Sequence, residues 1–169
     1  MEKDKDMGKF NLKYELERLA EAKKNEIYKG NFPYKKENLR RFAKKIVSFY
    51  YISITIRDSA QTGLTTNIDN INKQTISETI IYYKLGITSR DVKLRLKEIE
   101  MDLATSLRAE AFKISLIDVA RFDGRRAVFI EGYIHKKLTK YKIKFKLLSS
   151  GNSEVYCVDI FGIENERDN

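Results

Sequence analysis

The apolar residues of this chain recur at two different spacings, and the spacing changes near residue 110. Over residues 10–110 most of them recur every three or four positions, as in a helix with one face on a core. Over residues 111–163 they alternate with polar residues, which is the period of a strand. The pattern predicts a single α+β domain over residues 1–169, with N-terminal helices on a curved, cone-like antiparallel sheet of four to five strands and frayed ends at 1–9 and 164–169.

Four helices are predicted in the first part. The first ends at Gly30 and the turn 31–33, the second begins near Lys35, and the third, over Gln74–Leu85, ends at Gly86. The fourth is capped by Thr88 or Ser89. The apolar stripes are Leu12, Leu16, Leu19 and Ile27 in the first helix, Leu39, Phe42, Ala43 and Ile46 in the second, and Val92, Leu96, Ile99, Leu103 and Leu107 in the fourth.

The segment Phe49–Ile56 fits two structures. Its isoleucines alternate with polar residues, and β-branched residues at this period favour a strand. A helix that continues from Phe42 and Ile46 is the alternative, and the strand is preferred. Residues 58–73 are rich in Thr, Asn, Asp and Gly, which predicts a loop.

Four consecutive strands are predicted over residues 112–163. The first, Phe112–Phe122, is apolar on both faces, which indicates burial on both sides or a bulge near Leu116. Asp123-Gly124 is typical of a tight hairpin turn and leads to the second strand, Arg126–Lys136. Turns at 136–140 and 149–152 lead to the third strand and to the fourth, Val155–Ile163.

The third strand, over residues 141–147, alternates apolar residues with lysines without a break. A period of two forces the two sets onto opposite faces of a sheet. We therefore expect the apolar set to be buried against the stripe of the fourth helix and the lysines to be exposed. The apolar set is Tyr141, Ile143, Phe145 and Leu147, and the lysines are Lys142, Lys144 and Lys146.

Composition narrows the possible functions. The 169 residues contain one cysteine, Cys157, and one histidine, His135, which excludes an internal disulfide, a cysteine-rich zinc site and a multi-histidine metal site. No apolar run reaches the about 18 residues that cross a membrane. Residues 1–9 are charged and lack the apolar region of a signal peptide. These features predict a cytoplasmic location, unless the chain is a trimmed piece of a membrane-anchored protein.

Helices followed by bent antiparallel strands resemble the nuclear-transport-factor-two-like cone fold. Residues 82–92 (YYKLGITSRDV), 124–132 (GRRAVFIEG) and 140–145 (KYKIKF) resemble segments of the TraE-type and VirB-eight-type assembly proteins of type IV secretion and conjugation systems. Residues 155–163 (VYCVDIFGI) resemble the last strand of the periplasmic phospholipid-shuttle family. The resemblance covers residues 74–163, and it implies a module without catalytic residues. The membrane helix of the first family and the signal peptide of the second are missing from this sequence.

Four side chains are candidates for chemistry. Asp118 and Asp159 fall on otherwise apolar strands, where a buried pair of carboxylates would be an acid–base couple. The preferred interpretation is that both lie at strand ends or bind neighbouring Lys or Arg side chains. His135, beside Lys136-Lys137, is predicted to be exposed, and Cys157 to be a small buried apolar residue. No catalytic, cofactor-binding or metal-binding residue is predicted.

A positive surface is the best-supported binding feature. Between Phe112 and Leu148 the chain has ten Lys or Arg residues and three carboxylates, and its formal net charge is +9. Such a surface binds phosphates by point charge, with Tyr133 and Phe129 as candidate stacking planes. The alternative is a solvated face that guards a sheet edge. The candidate residues are Lys36, Arg40, Arg41, Lys44, Arg125, Arg126, Lys136, Lys137, Lys140, Lys142, Lys144 and Lys146.

Three functions are compatible with this sequence, and none of them needs a cofactor. The first is a non-enzymatic assembly or scaffold module of a secretion- or conjugation-type machine, acting through protein partners or self-association. The second is a basic nucleic-acid-binding protein that uses the lysine-rich sheet. The third is a lipid or small-molecule binder, which requires an apolar cavity of roughly 300 Å³ or more. Oligonucleotide binding at two salt concentrations separates the second function from the others.

Overall fold

A four-stranded antiparallel sheet lies at the centre of the computed structural model, which describes residues 9–28, 34–57, 79–149 and 154–165. The strands are β1 (Ile46–Arg57), β2 (Thr79–Thr88), β3 (Phe112–Asp123) and β4 (Val155–Tyr156), in the spatial order β3–β1–β2–β4. The helices are α1 (Leu12–Ala22), α2 (Lys24–Tyr28), α3 (Lys36–Phe42), α4 (Val92–Ala104), α5 (Gly124–Lys137) and α6 (Ile160–Asn165). The predicted α+β class with an antiparallel sheet is confirmed.

Strand β1 lies between β2 and β3 in the sheet, and a hydrophobic core covers each of its two faces. Val47, Phe49 and Tyr51 point into a first core with α1, α2, α3, α5 and α6. The alternate side chains of β1, such as Ile52 and Ile54, point into a second core with α4. A strand covered on both faces has a nearly continuous apolar sequence, which is why helix and strand were hard to separate here. The strand predicted over residues 49–56 is confirmed.

Several local predictions are confirmed. The leucines of the first stripe are buried in α1, and the stripe of α4 packs in the second core. The predicted cap of this helix, Thr88 or Ser89, is wrong, because α4 begins after Asp91, whose carboxylate accepts a hydrogen bond from the Lys93 amide at 2.8 Å. The bulge expected near Leu116 is present, since the β1–β3 register shifts there and leaves one extra residue on β3. None of the helices in the described ranges is long and apolar enough to cross a membrane.

The predicted hairpin at Asp123-Gly124 is wrong, because residues 124–137 form helix α5. Asp123 caps this helix by accepting a hydrogen bond from the Arg126 amide at 3.1 Å. The Gly124 amide donates to the Lys45 carbonyl at 2.8 Å, and a Cβ on Gly124 would overlap the Phe42 carbonyl oxygen. Asp123 therefore caps a helix, and Gly124 allows a close backbone contact. Tight turns favour the same two residue types, so the dipeptide alone does not distinguish the two structures.

The predicted third strand is also wrong, and the fourth is confirmed only over its first two residues, Val155–Tyr156, which form β4. The segment 141–147 contacts β4 through two backbone hydrogen bonds, from the Ile143 amide to the Val155 carbonyl and from the Cys157 amide to the Tyr141 carbonyl, both at 3.0 Å. Strand β4 has two residues, and α6 follows it. The predicted division at residue 110 is wrong as well, because β1 and β2, the two central strands of the sheet, precede it.

The burial predicted from the alternation in residues 141–147 is nevertheless confirmed in part. Phe145 is fully buried in the second core, and Lys144 and Lys146 are exposed. Tyr141 packs on the first core instead of the second, and Lys142 is half-buried.

The helix predicted over Gln74–Leu85 is wrong in its described part, where Thr79–Thr88 forms β2. Gly86 lies inside this strand instead of ending a helix. The predicted turns at 31–33 and 150–152 and the loop at 58–73 lie outside the described residues.

Candidate nucleic-acid interface

Two grooves meet at a cluster of carboxylates. The first, of about 340 Å³, is called the arginine groove. The second, of about 250 Å³, is called the lysine groove. Lys35, Glu131 and Glu154 line both. The arginine groove is further lined by Asn38, Arg41, Tyr50, Arg90, Arg95 and Glu98, and the lysine groove by Gly132, His135, Lys136, Thr139 and Lys142.

Glu131, His135 and Glu154 form a possible metal-binding cluster. Each offers one ligand atom, and the three atoms lie within 4.8 Å of one another. Glu131 and His135 are one turn apart on α5, which brings the His135 Nε2 to 3.7 Å from the Glu131 Oε1. Glu154 reaches them from the residue before β4. One imidazole nitrogen and two carboxylates are suitable ligands for a divalent cation.

His135 is buried and incompletely satisfied. Its Nδ1 forms a hydrogen bond with the Tyr156 hydroxyl, and the two rings are stacked at 5.7 Å. Its Nε2 is buried without a hydrogen-bond partner among the described residues. A buried polar atom without a partner is costly, and a cation on Nε2 would satisfy it. The prediction that His135 is exposed is wrong, because the histidine lies on the inner side of a helix.

Two lysines hold Glu154 in place. The Nζ of Lys84, a fully buried residue of β2, lies 3.0 Å from the Glu154 carboxylate, and the exposed Lys35 lies 3.4 Å from it. Burial by itself would raise the pKa of this carboxyl, but the positive charges around it, above all that of Lys84, outweigh burial and lower the pKa well below its ordinary value. Glu154 is therefore a carboxylate at neutral pH.

Tyr50 and Arg95 form the inner end of the arginine groove. Tyr50 on β1 lies opposite Gly86 on β2, and a Cβ on Gly86 would come within 2.5 Å of the Tyr50 hydroxyl. The missing side chain thus makes room for the tyrosine ring. Arg95 donates to the Tyr50 hydroxyl at 3.3 Å and to Glu98 at 2.9 Å, and Arg90 also pairs with Glu98, at 2.7 Å.

The arginine groove combines side chains of both charges. Four cationic side chains and three carboxylates line it. Guanidinium groups match the geometry of phosphate oxygens. A cation at the Glu131 and Glu154 carboxylates would give the groove a clear positive excess.

Three of the twelve predicted surface residues line these grooves: Arg41, Lys136 and Lys142. The structure places the other nine elsewhere. Lys137, for example, donates to the Tyr133 hydroxyl at 3.1 Å, and Lys140 lies over the Tyr141 ring. The remaining positions are Lys36, Arg40, Lys44, Arg125, Arg126, Lys144 and Lys146.

The predicted stacking planes are not available as expected. The Tyr133 ring is buried in the first core, so the prediction for it is wrong. The Phe129 ring packs edge-on against Tyr34.

The other candidates for chemistry lie outside the grooves. Asp118, inside β3 and not at its end, accepts a hydrogen bond from the Leu12 amide at 2.8 Å, and Asp159 accepts one from the Tyr51 hydroxyl at 2.7 Å. They have separate structural roles and do not form an acid–base couple. The prediction of a buried Cys157 is wrong, because β4 ends at Tyr156 and leaves the cysteine exposed.

Sequence reasoning missed most of the cluster because it assigned α5 as a strand. In a strand, residues four positions apart are separated by about 13 Å, so Glu131 and His135 would not meet. In a helix the same spacing places them one turn apart. The signal in the sequence was therefore a Glu and a His at a helical spacing. The other missed residues are Tyr50, Lys84, Arg95, Glu98 and Glu154.

Comparison with known proteins gives one family. Residues 63–167 match the model of the T5orf172 domain, over more than half of the chain. No curated protein and no solved structure matches this chain. The matched range includes β2, α4, β3, α5, β4 and α6, and with them the Glu131, His135 and Glu154 cluster. The comparisons do not bear on the cone-fold and secretion families that the sequence resembled. The chain belongs to the T5orf172 domain family.

Proposed function

We propose that this protein binds nucleic acid in the arginine groove and hydrolyses a phosphodiester bond there, with a divalent cation held by Glu131, His135 and Glu154. The observation that carries the proposal is the meeting of this cluster with Arg90 and Arg95 in one groove. T5orf172 domains are known from nuclease-like and DNA-associated proteins, which favours nucleic acid as the ligand. The proposal departs from the sequence-based expectation of a non-enzymatic protein, which stays untested.

The three cluster residues have distinct tasks. Glu131 and Glu154 supply carboxylate oxygens, and Lys35, which is exposed, can turn away from Glu154 while the buried Lys84 stays. If the His135 Nδ1 donates its proton to the Tyr156 oxygen, its Nε2 keeps a lone pair for the cation. When bound there, a divalent cation polarises a phosphate oxygen and lowers the pKa of a bound water.

The arginine groove supplies the rest of the chemistry. Arg90 and Arg95 pair with Glu98, a half-exposed carboxylate that a phosphate can replace as their partner. The positive charges of the two arginines would then stabilise the negative charge that develops on the phosphate oxygens in the transition state. The Tyr50 hydroxyl, held by Arg95, lies in the same groove and can exchange a proton with the attacking water or the leaving oxygen.

A nuclease assay tests this function. Labelled oligonucleotides and supercoiled plasmid are incubated with Mg²⁺ or Mn²⁺, and cleavage is followed on gels. We expect cleavage by the wild type, and for Glu131→Gln and Arg95→Ala a loss of about 100-fold or more, the size seen when one charge-stabilising group is removed. Glu110→Gln is the matched control, because Glu110 is exposed and outside both grooves. Circular dichroism verifies that all variants fold.

Two results would contradict the proposal. One is the absence of cleavage by the wild type with any of the metal ions, and the other is full activity of Glu131→Gln. Binding of oligonucleotides without cleavage would instead support the second candidate function, a nucleic-acid-binding protein without catalysis, which the arginines favour.

The other sequence-based functions have less support. The apolar cavity beside Leu19, Leu138 and Phe161 has a volume of about 10 Å³. It is too small for a lipid, which needs hundreds of Å³. No finding supports a role in a secretion or conjugation machine, so that role remains only a sequence prediction.

A further inference from the structure

The lysine groove gives a second access to the cluster. It shares Lys35, Glu131 and Glu154 with the arginine groove, but its remaining lining is its own. A nucleic-acid strand continues on both sides of the bond that is cleaved. An enzyme that cuts inside a strand therefore needs a path for the strand on each side of its catalytic groups.

The lining of the lysine groove is suited to phosphate. Lys136 is in the last turn of α5, and the half-buried Lys142 follows a short turn after this helix. Among the described residues that line the groove, the carboxylates are the two shared ones, Glu131 and Glu154. Once a cation neutralises them, the lysines give the groove a positive sign.

Lys142 lines the same groove as Glu131, His135 and Glu154. Burial lowers the pKa of its amine, while the charges of Glu154 and Glu131 act in the opposite direction. A phosphate in the groove would offset the desolvation of the amine as an opposite charge does. Lys144 and Lys146 follow at the same alternating positions, but both are exposed and outside the two grooves.

We propose that the lysine groove is a subsite for the sugar–phosphate backbone next to the cleaved bond, in which Lys136 and Lys142 bind the neighbouring phosphate. This inference rests on the proposed function, because it assigns the groove to the same nucleic-acid substrate. It also assigns a phosphate contact to Lys142 and none to Lys144 or Lys146, although the three lysines alternate in the same way in the sequence.

Two double variants with equal net charge test the subsite. Lys136→Ala/Lys142→Ala removes the groove lysines, and Lys144→Ala/Lys146→Ala removes two exposed lysines nearby. Binding of a fluorescein-labelled single-stranded oligonucleotide is measured by anisotropy from about 50 to about 200 mM salt, where phosphate contacts lose most of their affinity. Thermal unfolding verifies that both variants are folded.

We expect the groove variant to bind more weakly at low salt, with a slope of log K against log salt reduced by about 1 for each lysine removed. The control variant should keep the affinity and slope of the wild type. Equal losses in both variants would overturn the subsite, because they would indicate a diffuse positive field. A groove variant that behaves like the wild type would overturn it too, while wild-type binding and cleavage would leave the proposed function standing. If the wild type neither binds nor cleaves, both proposals fail.

Discussion

Removing Lys84 from its buried ion pair with Glu154 should clearly lower the stability of the protein. Lys84 has no solvent-exposed side-chain surface, and its Nζ lies 3.0 Å from the carboxylate. Replacing it with Met keeps most of the apolar stem but leaves Glu154 without its buried partner. Because breaking a buried pair from one side costs about 3–5 kcal/mol, the loss should be large.

The expected loss of stability lies at or just below the lower limit of that range. Glu154 keeps 14% of its side-chain surface exposed and retains Lys35 as a partner at 3.4 Å. We therefore expect Lys84→Met to lower the free energy of unfolding by about 2–3 kcal/mol. With a urea m-value of about 2 kcal/mol per M, the midpoint of unfolding should fall by about 1–1.5 M.

Lys35→Met is the matched control, because it removes the other lysine from the same carboxylate. Lys35 is 64% exposed, and an exposed ion pair contributes only about 0–1 kcal/mol. Lys84→Met/Glu154→Met removes both buried charges and should recover most of the loss, since apolar replacement of a whole buried pair is often neutral. Urea unfolding followed by circular dichroism measures all three. Equal effects of the two lysine variants, or a double variant less stable than Lys84→Met, would refute this account of the pair.

Two further predictions follow from close contacts and exposure. Gly86→Ala should displace the Tyr50 ring and reduce nuclease activity more than it reduces stability. The control Gly162→Ala, whose Cβ would meet only an ordinary contact at 3.6 Å, should leave activity unchanged. Steady-state cleavage rates and thermal unfolding compare the two variants, and a Gly86→Ala variant with full activity would contradict the role given to this glycine. Cys157 should react with a maleimide in the native protein as fast as in urea, because it is exposed. Mass spectrometry of the modified protein follows the reaction, and strong protection in the native state would contradict the placement of this cysteine.

The elements that were predictable from the sequence are those with one clear apolar stripe. Helices α1 and α4 each bury one side, so their stripes gave them correctly. Strand β1 was identified from its β-branched residues, and the bulge near Leu116 from apolar residues at both parities.

Helix α5 and strand β2 could not be predicted because several of their buried positions, which keep the spacing of a helix and of a strand, are not apolar. These positions are Gly124, Glu131 and His135 in α5 and Lys84, Gly86 and Thr88 in β2. Helix α5 is covered on several sides, and Val128, Ile130 and Ile134 alone look like a strand. In β2 the fully buried Lys84 stands where a core strand would carry an apolar residue. A buried lysine is readable only together with its partner Glu154, which is 70 residues away in sequence. The candidate site could not be recognised for the same reason, because contacts between different elements bring most of its residues together and no pattern within one element marks them.

The candidate site also depends on residues that precede the matched T5orf172 range. That range begins at residue 63, after β1, yet β1 lies between β3 and β2 in the sheet. Without β1 these two strands would have no common neighbour, and each would expose a row of unpaired backbone groups. Strand β1 also supplies Tyr50, and α3 with its preceding residue supplies Lys35 and Arg41 to the grooves. The matched part of the chain carries the Glu131, His135 and Glu154 cluster and three of the four strands, but the strand that joins β3 to β2 and part of the lining of the arginine groove come from the first 57 residues.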